Sequence, residues 1–246
     1  MARAQGGPRD EGAPRRGGLA HPLESLVFLL PLVLFYEIAT LVLHPAWEQG
    51  GLDRQDRVVA FQLLRTFFEL FGPTGKWMPA LAVVAILLGA QFASGRPWRV
   101  RPRAVVLLYV EAVGWTLPML AVSRALQLAS ASTGQSLWSD LALAVGAGVY
   151  EELVFRLVLI CVIVMVGVDL LRLPAPSTTA FAVLLAAVLF AAHHHPPVGS
   201  EPFSAGRFLF RTVAGLYLGL LFVWRGYGVA AGTHVAYNVV VIGVAL

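Results

Sequence analysis

Between Leu137 and Leu171 the sequence is apolar almost throughout, yet Glu151, Glu152 and Arg156 stand near its centre. A segment in lipid must satisfy its backbone amides internally, so such a run reads as helix. About 20 residues already cross the hydrocarbon core, so this one exceeds a single perpendicular crossing. It is either one long tilted or kinked helix, or two spans broken near Arg156. A charge at the bilayer centre costs about 2.5–3.5 kcal/mol on insertion scales, so these three side chains need a compensating role.

Further apolar runs lie at 26–43, 77–95, 104–127, 177–195, 207–224 and 227–246. Apolar types make up 58% of the chain and charged types 13%, against roughly 45–50% and about 25% in an average soluble domain. The ten-residue alternation of an outer-membrane barrel is missing. The expected fold is all-α: a polytopic membrane helical bundle with seven or eight transmembrane helices. Residues 1–22, rich in Gly, Pro and Arg, form a disordered polar tail, and 23–246 form a single membrane-embedded domain. The first run carries Pro31 and Glu37, lacks an A-x-A exit, and is read as a retained span, not a signal peptide. Residues 53–71 repeat apolar side chains at three and four, which suits a surface-lying amphipathic helix or a loop helix packed on the bundle. Residues 129–136 read as an external turn.

The net charge is +4, and one of the 18 basic side chains is lysine, Lys76. Arg96, Arg99, Arg101 and Arg103 crowd one linker, and Arg3, Arg9, Arg15 and Arg16 lie in the tail. Both segments are expected to be cytoplasmic. No basic stripe or aromatic platform accompanies the charge, so nucleic acid is not an expected partner. The preference for Arg over Lys suits a GC-rich bacterial genome, hence integral residence in a bacterial inner (cytoplasmic) membrane. Cys161 is the only cysteine, which excludes an internal disulfide and a cysteine metal cluster.

The buried polar residues fall in three groups: Glu151, Glu152 and Arg156; the run His193-His194-His195; and His234 with Asn238. Helical positions four apart share a face, so Glu152 and Arg156 form an ion pair and His234 lies beside Asn238. Glu151 points about 100° away from that pair. The same splay lets at most one or two of the three histidines aim at one site, and the rest reach the aqueous boundary at Pro196-Pro197. A carboxylate outside the ion pair, two imidazoles and an amide are the groups that water-dependent acyl chemistry needs.

These motifs resemble the CAAX-protease and bacteriocin-processing (CPBP, or Abi) family of intramembrane endopeptidases. EELVFR fits its E-E-x-x-x-R signature, Phe190 with His194 its F-x-x-x-H motif, and His234 with Asn238 its H-x-x-x-N motif, in family order across 137–246. The resemblance implies a membrane peptidase with its site in a cavity within the bilayer. It makes Glu151 the catalytic carboxylate and His194 its partner, with His234 and Asn238 completing the site and Glu152 and Arg156 supporting it. The expected partners are the lipid bilayer and a membrane-anchored protein or peptide substrate. The favoured reading has no cofactor; the alternative places zinc on Glu151, His194 and His234, a His₂Glu set with an open position. A non-enzymatic transporter or scaffold that uses the intramembrane carboxylates is the rival class. Glu111 is expected to pair with Arg211.

Overall fold

The computed structural model describes residues 21–49, 60, 63–64, 66, 78–126 and 136–245, with 44–49 and 245 in backbone only. The polar tail, the surface helix at 53–71 and the turn at 129–136 lie almost wholly outside the described residues. Among the described residues seven helices follow in order: α1 (Pro22–Gln49), α2 (Met78–Ala93), α3 (Pro102–Ala125), α4 (Leu137–Leu170), α5 (Ala175–Ala192), α6 (Ala205–Arg225) and α7 (Tyr227–Ala245). All except α2 are long and apolar enough to cross a membrane, giving six candidate spans. Leu107, Val110, Leu117, Leu170 and Leu220 are exposed, as lipid-facing side chains of a bundle should be.

The long central run is one unbroken helix of 34 residues. Ser136 caps its start by accepting from the Ser139 amide. Past Gly146 the helix widens into π turns at Ala147–Glu151, Leu153–Ile160 and Met165–Leu170. Such i→i+5 turns are uncommon and cluster at functional sites. A wider turn rotates less per residue, so Glu151 and Glu152 diverge less than the α-helical estimate. Pro174 separates α4 from α5, and Pro176 lies in the first turn of α5, where its missing N–H costs no helix bond. Gly226 reverses the chain between α6 and α7 at φ 95°, in the left-handed region that favours glycine.

Helix α7 is the most enclosed: 61% of its membrane-crossing stretch is buried, against 39% for α5, the next. It can therefore carry polar side chains away from lipid. Gly148 brings α4 against it, since a Cβ there would stand 2.6 Å from the Val235 amide nitrogen. On the other side of α4, Tyr150 packs edge-on against Tyr36 of α1 and donates to Glu37 at 2.7 Å, which gives that isolated carboxylate its partner. Glu111 pairs with Arg225 at 2.5 and 2.7 Å, not with Arg211 as expected. Arg211 pairs instead with Glu201.

Candidate active site

The widened part of α4 supplies two carboxylates with different surroundings. Glu152 and Arg156 are fully buried and meet at 2.9 Å, the i,i+4 pair expected from their spacing. Arg156 also reaches the Gly215 carbonyl of α6 at 3.4 Å and lies over the Phe190 ring, 4.3 Å from its centroid. Glu152 does more than neutralise the arginine. Its Oε1 also meets His234 Nδ1 at 2.9 Å, so one carboxylate oxygen joins α4 to α7. A carboxylate only accepts here, which places the proton on His234 Nδ1 and turns the Nε2 lone pair towards Glu151.

Glu151 stands among three imidazoles. His193 Nε2 is 3.5 Å and His194 Nε2 is 3.9 Å from its Oε1, and His234 Nε2 is 3.9 Å from its Oε2. Helix α5 ends at Ala192, so His193 and His194 sit in a turn instead of continuing an α-helical splay. Both rings direct Nδ1 at the Phe190 carbonyl. That carbonyl only accepts, so each neutral ring carries its proton on Nδ1 and presents a lone pair at Nε2. Burial pushes the His194 imidazole down to about 3, against a smaller upward pull from Glu151, so it is neutral near pH 7. The Phe190 ring borders His194 and His234 at centroid distances of 5.3 and 5.9 Å, the physical sense of the F-x-x-x-H spacing.

His193 is thus brought to the carboxylate together with His194, although spacing from Phe190 singled out His194 alone. Nor do the remaining histidines reach water: His193 and His195 are both buried. His195 turns away, its Nδ1 on the Glu201 carbonyl at 3.0 Å and its ring against Phe203.

A cavity of about 560 Å³ opens onto these groups. Glu151, His194, His234 and Asn238 all line it, and so do Asp140, Glu201, Arg207 and Arg211, which the motifs did not single out. Asn238 donates from Nδ2 to the Ala144 carbonyl at 3.3 Å, which uses one of its two N–H groups. The donor atoms of Glu151, His193 and His194 lie within 4.8 Å of one another, and this acceptor-rich set fits a divalent cation. The zinc set expected from the sequence overlaps it in Glu151 and His194. Its third member, His234, points Nε2 at the other oxygen of Glu151.

No curated protein and no solved structure matches the chain. Residues 133–240, which include Glu151 and the three imidazoles facing it, match the family model of Rce1-like type II CAAX prenyl endopeptidases; residues 1–132 and 241–246 lie outside it. The motifs, the helical membrane fold and this match agree: residues 133–240 are similar to the Rce1-like type II CAAX prenyl endopeptidases.

Proposed function

We propose that the chain hydrolyses a peptide bond in a membrane-associated protein or peptide, using water activated by Glu151 and the imidazoles around it. The family is one of CAAX-type proteases, which supplies the coarse activity, a bilayer setting and a protein substrate. The single observation carrying the finer reading is the acceptor-rich pocket: one carboxylate faced by three Nε2 atoms at 3.5–3.9 Å. Acceptors at such distances do not bond to one another. A water molecule, with two O–H groups to donate, satisfies a carboxylate oxygen and an Nε2 together.

Held this way, the water loses a proton to Glu151 while its oxygen attacks the scissile carbonyl carbon. The developing oxyanion meets the second N–H of Asn238. His234 holds its Nδ1 proton on Glu152 and donates from Nε2 only after gaining a proton. Breakage of the C–N bond follows as the proton on Glu151 passes to the leaving amine. A cavity shielded from bulk water strengthens each of these electrostatic contacts. If a divalent cation is resident, Glu151, His193 and His194 would hold it, and it would supply Lewis-acid polarisation of water.

The test is Glu151→Gln and His194→Ala in a cleavage assay with purified, folded protein. Loss of about 100-fold or more in kcat is expected for each; normal processing by both removes Glu151 and His194 from the reaction, and no cleavage by wild type overturns the peptidase reading in favour of a transporter or scaffold. Metal content, with activity after stringent chelation, separates the two water-activating schemes: full activity without metal removes the cation.

Orientation belongs to the same proposal. Arg101 of the basic linker pairs with Glu24 at the start of α1, at 2.9 Å, so both lie at one end of the bundle. Following the spans in turn puts Asp140, Glu201, Arg207 and Val241 at the other end. With the Arg-rich tail and linker in the cytoplasm, the cavity opens to the opposite face of the bacterial inner membrane.

A further inference from the structure

The cavity has a second charged pole that the water-activating groups leave unexplained. Arg207 and Arg211 lie four residues apart near the start of α6, hence on one face, and both line the cavity. Glu201 serves them together: its Oε1 accepts from Arg207 Nη1, and its Oε2 lies 2.6 Å from Arg211 Nη1. Two guanidinium groups against one carboxylate leave this cluster with one positive charge in excess.

That excess stands where positive charge is disfavoured twice. Arg207 occupies the first turn of α6, beside the positive end of the helix dipole. Arg211 belongs to a membrane-crossing helix, and its side chain is only 23% exposed, a setting in which uncompensated charge is costly. Each guanidinium has five N–H donors in a planar fork, of which one carboxylate engages few. The half-exposed Arg207 and the more enclosed Arg211 therefore keep N–H donors that a planar anion entering the cavity could engage.

We propose that Arg211, assisted by Arg207, binds the terminal carboxylate of the substrate. This rests on the peptidase reading and adds a specificity site to it. The two poles share one cavity: Glu151 with its imidazoles takes the scissile bond, and the arginines take the terminal carboxylate. Asp140 also lines the cavity, so its acidic groups are Glu151, Asp140 and Glu201. The arginine face is the part suited to an anion. A lipid phosphate is the other anion at hand, but the two arginines face the cavity that holds Glu151. That placement favours the substrate.

The test uses the full chain in detergent and a prenylated CAAX-type peptide made as the free acid and as the C-terminal amide. Wild type is expected to favour the acid by at least about tenfold in kcat/KM, chiefly through KM. Arg211→Gln brings that ratio to within about twofold; Arg207→Gln lowers it less, and Arg211→Lys keeps part of it. Equal cleavage of acid and amide by wild type overturns the carboxylate site and leaves the peptidase reading standing. Binding of both peptides to Glu151→Gln gives a readout independent of turnover. Acid-selective binding there without cleavage by wild type supports the site and overturns the peptidase reading; unselective binding overturns the site. An Arg211→Gln effect confined to dependence on phosphatidylglycerol vesicles, with the acid-to-amide ratio intact, assigns the arginines to lipid and overturns the proposal.

Discussion

His234 Nδ1 on α7 and Glu152 Oε1 on α4 meet at 2.9 Å, and the same oxygen lies 2.9 Å from Arg156 Nη1. Glu152 therefore has two separable duties: it compensates a buried guanidinium, and it fixes the ring that faces Glu151. Removing one partner of a buried ion pair costs about 3–5 kcal/mol, whereas replacing both with apolar groups is often neutral. Arg156→Met is expected to destabilise the protein by about that much, and Glu152→Met added to it should recover most of the loss. Activity should not recover, because His234 has lost the acceptor that sets its tautomer. Thermal melts and cleavage rates on the single and double variants check this; activity that returns with stability would reduce Glu152 to packing.

His193 supplies the second prediction. Its Nε2 is the imidazole nitrogen nearest Glu151, at 3.5 Å. His193→Asn should lower kcat by about 10- to 100-fold, comparably to His194→Asn, while His195→Asn lowers it far less. Parallel kcat measurements decide the matter, and an unaffected His193 variant would leave His194 as the sole histidine partner on that side.

Why sequence singled out His194 but not His193 is a matter of helix ends. Spacing arguments hold while 3.6 residues make a turn. They paired Glu152 with Arg156 correctly and put Phe190 beside His194. They fail at Ala192, where α5 stops and the next two rings fold back on the Phe190 carbonyl. They weaken again where α4 widens, which lets adjacent Glu151 and Glu152 both reach His234. Partners between helices are less legible still. Glu111 needed a cation, and Arg211 and Arg225 lie on the same helix, about 21 Å apart along its axis at 1.5 Å per residue. Only packing chooses between them, and it chooses Arg225. The helical membrane fold was readable because lipid allows few alternatives; the span count was not, since among the described residues α4 does not break and α2 is short, which leaves six candidate spans among seven helices.

Gly148 provides a geometric test of how the site is assembled. A Cβ at this position would lie 2.4 Å from Val235 Cγ2 and 2.6 Å from the Val235 nitrogen, and backbone cannot yield as a side-chain tip can. Gly148→Ala should push α7 away from α4, lengthening the contact of His234 with Glu152. The expected cost is about 1–3 kcal/mol in stability and at least about 100-fold in kcat, by displacement of reacting groups. Gly89→Ala, with nothing within 4 Å of its added Cβ, is the control. Equal behaviour of the two variants would show that the close approach is not needed.

Sidedness can be read with the single native cysteine removed. In Cys161→Ser, a cysteine in place of Trp98 on the basic linker should be closed to a membrane-impermeant maleimide in intact cells. One in place of Phe203, on the cavity side, should be labelled. Both positions are exposed, Trp98 at 59% and Phe203 at 68%, so reactivity reports side instead of burial. The reversed pattern would put the cavity on the cytoplasmic face and the Arg-rich linker outside.

Acid sensitivity follows from His194. Burial lowers its folded-state pKa to about 3, whereas an unfolded histidine titrates near 6.5. Between these values the unfolded chain binds a proton that the folded chain does not, so stability rises with pH across that window and falls as pH drops from about 6.5 towards 3. Above about 6.5 both states are neutral there, and the group contributes no slope. The full effect is on the order of 1.4 kcal/mol per pH unit, reduced because the side chain retains 21% exposure. Melting temperature measured in detergent with chelator should therefore decline below about pH 6.5, and His194→Asn should flatten the decline. Identical slopes in wild type and variant would mean that the ring takes up a proton in the folded protein as readily as in water, and the neutral Nε2 acceptor facing Glu151 would be lost with it.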